Sequence, residues 1–138
     1  MTPAFAPPRP LAPANRIRVL VADDSVVVRG LIARWLQESG IEVVATVSNG
    51  RLAIAALDRV APDIVLLDLD MPGLPWVRIV DRVRKDAPQA RIVAFTGSTI
   101  EPRLDAFDAW LPKPATPDAI LDAVGLTRPG EPKRPPPG

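Results

Sequence analysis

The chain is predicted to be an α/β protein with a parallel sheet, on three observations. Four short apolar runs end in polar residues of different kinds: Val19-Leu20-Val21-Ala22 leads into Asp23-Asp24, Ile64-Val65-Leu66-Leu67 into Asp68, Ile92-Val93-Ala94-Phe95 into Thr96, and Trp110-Leu111-Pro112 into Lys113-Pro114. Runs of this length and composition mark strands buried on both faces. Segments with helical spacing lie between them, and alternation of strand with helix argues for right-handed crossovers within one sheet. In an open α/β sheet ligands bind outside the carboxyl ends of the strands, so the polar residues closing the runs form the candidate site. Three carboxylates, a hydroxyl and an ammonium at one edge suit a divalent cation and a transferring phosphoryl group.

The first strand is expected over Ile17 to Ala22. Val28, Leu31, Ile32, Trp35 and Leu36 then follow at helical spacing, with Ser25 as N-cap and Gly40 as stop. Glu42 to Thr46 is the second strand, and Asn49 caps a helix over Arg51 to Val60. Asp63 to Leu67 is the third and most apolar strand, which places it centrally. Trp76, Ile79, Val80 and Val83 repeat at i, i+3, i+4, i+7 on a helix that ends before Pro88. Arg91 to Phe95 is the fourth strand and Ala109 to Leu111 a short fifth, where Pro112 removes a ladder donor and demands a sheet edge. Thr116-Pro117-Asp118 starts the last helix, with proline at its first position, and Gly125 is expected to close it.

Composition narrows the function. The 138 residues fit one domain, and 47% hydrophobic with 24% charged residues is the balance of an ordinary soluble globule. A net charge of +1 gives no argument for binding nucleic acid or a membrane. No stretch approaches a signal-peptide core or a membrane span, so a cytoplasmic location is expected. The chain has no cysteine and no histidine, which excludes disulfides, thiolate metal sites, a phosphohistidine acceptor and the commonest zinc ligand. Five prolines fall in residues 1–15 and five in 127–138, so both segments are expected to be disordered tails around a domain at 16–126.

These residues, at these strand ends and in this order, resemble the receiver domain of two-component response regulators, from about Arg16 to Leu126. Asp23-Asp24-Ser25-Val26-Val27-Val28-Arg29-Gly30-Leu31-Ile32 and Ser48-Asn49-Gly50-Arg51 are most similar to the receiver half of a chemotaxis methylesterase. The resemblance implies a flavodoxin-like, doubly wound sheet of order 2-1-3-4-5. It further implies a stand-alone response regulator, taking a phosphoryl group from a histidine kinase or phosphotransfer protein and signalling to a downstream protein target. On this reading the chain is no enzyme beyond self-phosphorylation from small donors and self-dephosphorylation.

The same resemblance assigns the site. Asp68 would be the phosphoacceptor. Mg2+ (or Mn2+) would be ligated directly by Asp24 and Asp68, through water by Asp23, and by the backbone carbonyl of Asp70. Like carboxylates repel unless neutralised, and a hard cation with oxygen ligands is their natural counter-ion. Lys113 would reach one phosphoryl oxygen as a point charge, Thr96 would donate its hydroxyl to another, and the N–H groups of Asp70 and Gly97 would serve the rest. Trp110 occupies the switch-aromatic position, filling the space Thr96 vacates. Pro114 is a candidate cis proline, and Asp70 and Ser98 occupy positions that in receivers influence phosphoryl lifetime.

Two departures stand out. Trp76 replaces the small residue usual eight positions after the acceptor, so the loop after the third strand should be rebuilt or Trp76 should lie over the site. Only 16 residues separate Thr96 from Lys113, about five fewer than is common, which leaves room for a shortened or absent fourth helix of at most about two turns, held by Leu104 and Phe107. These departures keep open a pseudo-receiver that is an interaction module without phosphoryl switching. Asp68-Leu69-Asp70 also fits the Asp-x-Asp pair of haloacid dehalogenase-like phosphohydrolases, although that motif belongs on the first strand of a larger domain.

Overall fold

A computed structural model of the chain describes residues 16–97 and 106–126. The elements run β1 (Arg18–Ala22), α1 (Val26–Glu38), β2 (Glu42–Val47), α2 (Gly50–Val60), β3 (Ile64–Asp68), α3 (Trp76–Asp86), β4 (Arg91–Thr96), β5 (Ala109–Pro112) and α4 (Pro117–Leu126). All strand pairings are parallel, in the order β2-β1-β3-β4-β5. This is the flavodoxin-like, doubly wound arrangement. The expected shortened helix after β4, its Leu104 and the site candidate Ser98 lie outside the described residues.

Side-chain alternation along the buried strands splits the core into two layers. Leu20, Val65, Leu67, Ile92 and Ala94 point to the face covered by α2 and α3, where Ala53, Ala56, Leu57, Ile79, Val80 and Val83 meet them. Val19, Val21, Ile64, Leu66, Val93, Phe95 and Leu111 point to the opposite face, against Ile32 and Leu36 of α1 and Ile120, Ala123 and Val124 of α4. Every residue of β3 is buried, which fits its central place. Pro112 lies in β5, at the sheet edge, where a missing donor costs no ladder bond.

Local chemistry starts the helices where the side chains allow. Ser25 Oγ accepts from Val28 N at 3.2 Å, Asn49 Oδ1 from Leu52 N at 2.9 Å and Thr116 Oγ1 from Ala119 N at 3.1 Å, each satisfying an otherwise orphaned amide. Gly40 follows the end of α1 with φ 83°, a backbone that only glycine adopts without strain. Gly125 does not close the last helix. It lies inside α4, which runs to Leu126, directly after the buried Ala123 and Val124 that anchor this turn to the core.

Of the two alternatives for Trp76, covering the strand ends is not the one it adopts. It opens α3, and its ring packs on Phe107 with centroids 5.1 Å apart and planes inclined by 47°. The positive φ of the β3–α3 connection falls on Gly73, at 93°. Trp76 therefore follows the apolar stripe of its helix and belongs to the α2/α3 layer. Among the described residues, no helix is long and apolar enough to cross a membrane.

Candidate functional site

The parallel register brings the polar strand ends into one row, because Ala22 pairs with Leu67, Asp68 with Phe95 and Thr96 with Pro112. The chain stays tied beyond the strands. Asp23 N donates to Val47 O at 3.0 Å, Leu69 N to Phe95 O at 2.9 Å and Lys113 N to Thr96 O at 2.8 Å. Alternation carries Asp23, Asp68 and Lys113 onward from Val21, Leu66 and Leu111, on the α1/α4 side. Thr96 continues from Ala94 on the other side, where the half-buried Trp110 packs.

Asp23, Asp24 and Asp68 converge, with one carboxylate oxygen from each lying within 4.8 Å of the others. Asp23 and Asp68 are buried, whereas Asp24 is exposed. One oxygen of Asp23 accepts from Ser25 N at 2.7 Å, and one oxygen of Asp68 accepts from Asp70 N at 2.8 Å. Among the described residues, the other oxygen of each is buried without a hydrogen bond, and Lys113 Nζ lies 3.4 Å from Asp23 Oδ2. Buried carboxylate oxygens left unsatisfied beside an exposed third carboxylate are the donor set a hard divalent cation takes.

Lys113 Nζ lies 3.1 Å from Asp68 Oδ1 and 4.9 Å from the centroid of the Phe95 ring. Burial acts most strongly on the Asp68 carboxyl and raises its pKa above the usual carboxylate value. The neighbouring Asp23 charge adds to the rise, while the Asp70 amide and Lys113 oppose it. Burial of Lys113 works to lower its pKa, but Asp68 and Asp23 outweigh that and hold the ammonium above its ordinary value. Among the described residues, Lys113 is thus the cation that contacts the buried carboxylates of the cluster.

The Lys113–Pro114 peptide bond is cis. Among the described residues, Trp110 Nε1 is buried without a hydrogen-bond partner. Two contacts were not legible in the sequence. Arg29 Nη1 donates to the backbone carbonyl of Asp23 at 2.7 Å, tying α1 to the end of β1. The Asp70 carboxylate accepts from the Thr96 hydroxyl, 2.9 Å from each of its oxygens, and from Gly97 N at 2.6 Å. The N–H groups of Asp70 and Gly97, expected to be available to a ligand, thus both have protein partners. Sequence spacing shows that Asp70 follows the strand, but not that its loop turns the side chain towards β4.

Comparison with known proteins places this geometry. The model of the response regulator receiver domain matches residues 19–125. The chain is 34% identical to a protein-glutamate methylesterase/protein-glutamine glutaminase of Azospirillum brasilense, over 93% of this chain and 37% of the relative. A protein of the same name from a Nocardioides species is 39% identical over 72% of this chain and 29% of its own length. Among solved structures, the response regulator domain of Thermotoga maritima CheB superposes with a TM-score of 0.74 at 22% identity, covering 85% of this chain and 99% of that one. The receiver domain of Salmonella enterica RcsB gives 0.76 at 21% identity, covering 89% and 94%.

The chain spans from 20% to 37% of the length of the curated relatives it matches. Those relatives bear the name of an enzyme, which overturns the expectation that the chain is no enzyme. That expectation came from the resemblance to a stand-alone receiver, and receiver residues carry no information about the remainder of such proteins. With the family model covering most of its length and the strand-end cluster assembled, the chain belongs to the response regulator receiver domain family.

Proposed function

We propose that residues 16–126 act as a receiver that accepts a phosphoryl group on Asp68 from a phosphohistidine of a histidine kinase or phosphotransfer protein, in the cytoplasm. The observation that carries this reading is the Asp68 carboxylate itself. It is buried at the end of β3, has one oxygen without a hydrogen bond among the described residues, and lies 3.1 Å from the Lys113 ammonium. Asp68 attacks phosphorus, a phosphorus–oxygen bond forms as the donor's phosphorus–nitrogen bond breaks, and the departing imidazole takes a proton from water.

Lys113 stays beside the new acyl phosphate and balances its charge. Asp23, Asp24, Asp68 and the Asp70 carbonyl are the groups that would hold Mg2+ or Mn2+, as receiver domains do in their acidic pocket. When bound, the metal would supply charge neutralisation and alignment of the phosphoryl oxygens. Thr96 and Gly97 supply donors from the end of β4, Trp110 follows Thr96 on the same sheet face, and a protein partner reads the change. Nucleic acid and membrane are left out of this reading, in line with a net charge of +1.

Tryptophan fluorescence tests the switch. Acetyl phosphate with magnesium should change the emission of the wild type and leave Asp68→Asn unchanged. A wild type that gains the phosphoryl group with no change at Trp110, established with Trp110→Phe, would favour the reading without switching.

A further inference from the structure

We infer that the Asp70 carboxylate is an internal anion latch, occupying in the resting protein the Thr96 hydroxyl and Gly97 amide that a phosphoryl group on Asp68 would take. The inference rests on the reading of Asp68 as phosphoacceptor and adds what phosphorylation must displace. Three distances carry it: the Thr96 hydroxyl oxygen is 2.9 Å from each Asp70 oxygen, and Gly97 N is 2.6 Å from Oδ2. Such contacts to a carboxylate are roughly twice as strong as neutral ones.

The geometry makes the two anions competitors. Asp70 N donates to Asp68 Oδ1, so one residue holds the acceptor with its backbone and the β4 donors with its side chain. A β-carbon added at Gly97 would lie 3.8 Å from both Asp70 Oδ2 and Lys113 Cβ, which shows how closely these three residues converge. A hydroxyl has one proton to give, and an amide has one. When Thr96 and Gly97 turn to phosphoryl oxygens, the Asp70 carboxylate loses both donors and adds negative charge beside an anion. Because Asp70 is exposed, it can swing into water without disturbing the core. The switch therefore exchanges one anion for another at the end of β4, and Asp70 holds the resting position.

The test uses beryllofluoride in excess magnesium as the phosphoryl mimic, with amide shifts followed in the wild type, Asp70→Ala, Thr96→Ala and the double variant. In the resting protein the Gly97 amide proton should move upfield in Asp70→Ala as its carboxylate partner is lost. Asp70→Ala should bind beryllofluoride about tenfold more tightly, the equivalent of one charge-assisted hydrogen bond no longer broken. That gain should shrink in the Thr96→Ala background. An unmoved Gly97 amide overturns the latch. So does a gain of the same size with and without the Thr96 hydroxyl, since that is plain charge repulsion. If no variant responds to beryllofluoride, the reading of Asp68 fails and the exchange with it, while the resting Gly97 shift still reports whether the contact exists.

Discussion

Replacing Lys113 with methionine removes the ammonium from the site, including its contact 4.9 Å from the Phe95 ring centroid, and keeps most of the apolar stem. Nζ stands 3.1 Å from Asp68 and 3.4 Å from Asp23, two carboxylates whose side chains are 0% exposed. Without it, two carboxylates no more than 4.8 Å apart repel by about 3.5 kcal/mol at an effective dielectric constant of about 20. The Lys113 side chain is 24% exposed, so water reaches the site and the net cost is reduced to about 2 kcal/mol. For a domain of about 100 residues that lowers Tm by roughly 10 °C. Circular dichroism melts with a chelator present, repeated across pH, measure it.

The sign of the pH dependence follows from Asp68. Its pKa is raised in the fold, and loss of Lys113 removes one of the influences holding it down. A group with a raised folded pKa contributes stability below its unfolded value near 3.8 and loses it as pH rises through the folded value. The two melting curves should therefore converge towards that acidic limit and separate above it. Lys113 also has a raised pKa, so the gap should close again only when pH exceeds the ordinary lysine value of 10.5 and passes the folded one. Magnesium should restore most of the deficit at neutral pH. A variant as stable as the wild type at pH 8 in chelator, or a deficit independent of pH, would refute charge compensation by Lys113.

Two further substitutions probe the proposed metal site and the packing. Magnesium at ten times its dissociation constant should stabilise the wild type by about 1.4 kcal/mol, and Asp24→Ala should lose that response in thermal melts; an undiminished response removes Asp24 from the site. Gly50→Ala places a β-carbon 2.6 Å from Ile79 Cδ1 and 3.3 Å from Leu74 Cβ, so the fully buried Ile79 side chain must repack where there is little room. Overpacking outweighs the gain in helix propensity, and denaturant unfolding should show a net loss of about 1–2 kcal/mol, which an equally stable variant would disprove.

Much of the fold was legible because strand burial and helix capping are local signals. The apolar runs located β1, β3 and β4, and Ser25, Asn49 and Thr116 marked helix starts through side chains that reach amides only a few residues away. Convergence of Asp23, Asp24, Asp68 and Lys113 followed once parallel strands shared one edge. Three features did not follow. Gly125 reads as a helix stop, but packing of Ala123 and Val124 overrides glycine's propensity. Trp76 could be placed over the site by analogy or in the core by spacing, and spacing prevailed because Phe107 supplies a ring to pack on. The grip of Asp70 on Thr96 and Gly97 joins residues 26 and 27 positions apart through loop geometry, which has no periodic signature.

The claim that Asp68 is the phosphoacceptor is tested most directly by intact-mass spectrometry after incubation with acetyl phosphate, in magnesium and in chelator. One added phosphoryl group is expected on the wild type in magnesium, with little or none in chelator and none on Asp68→Asn. An unmodified wild type, or an Asp68→Asn variant that gains the same mass, would contradict the assignment.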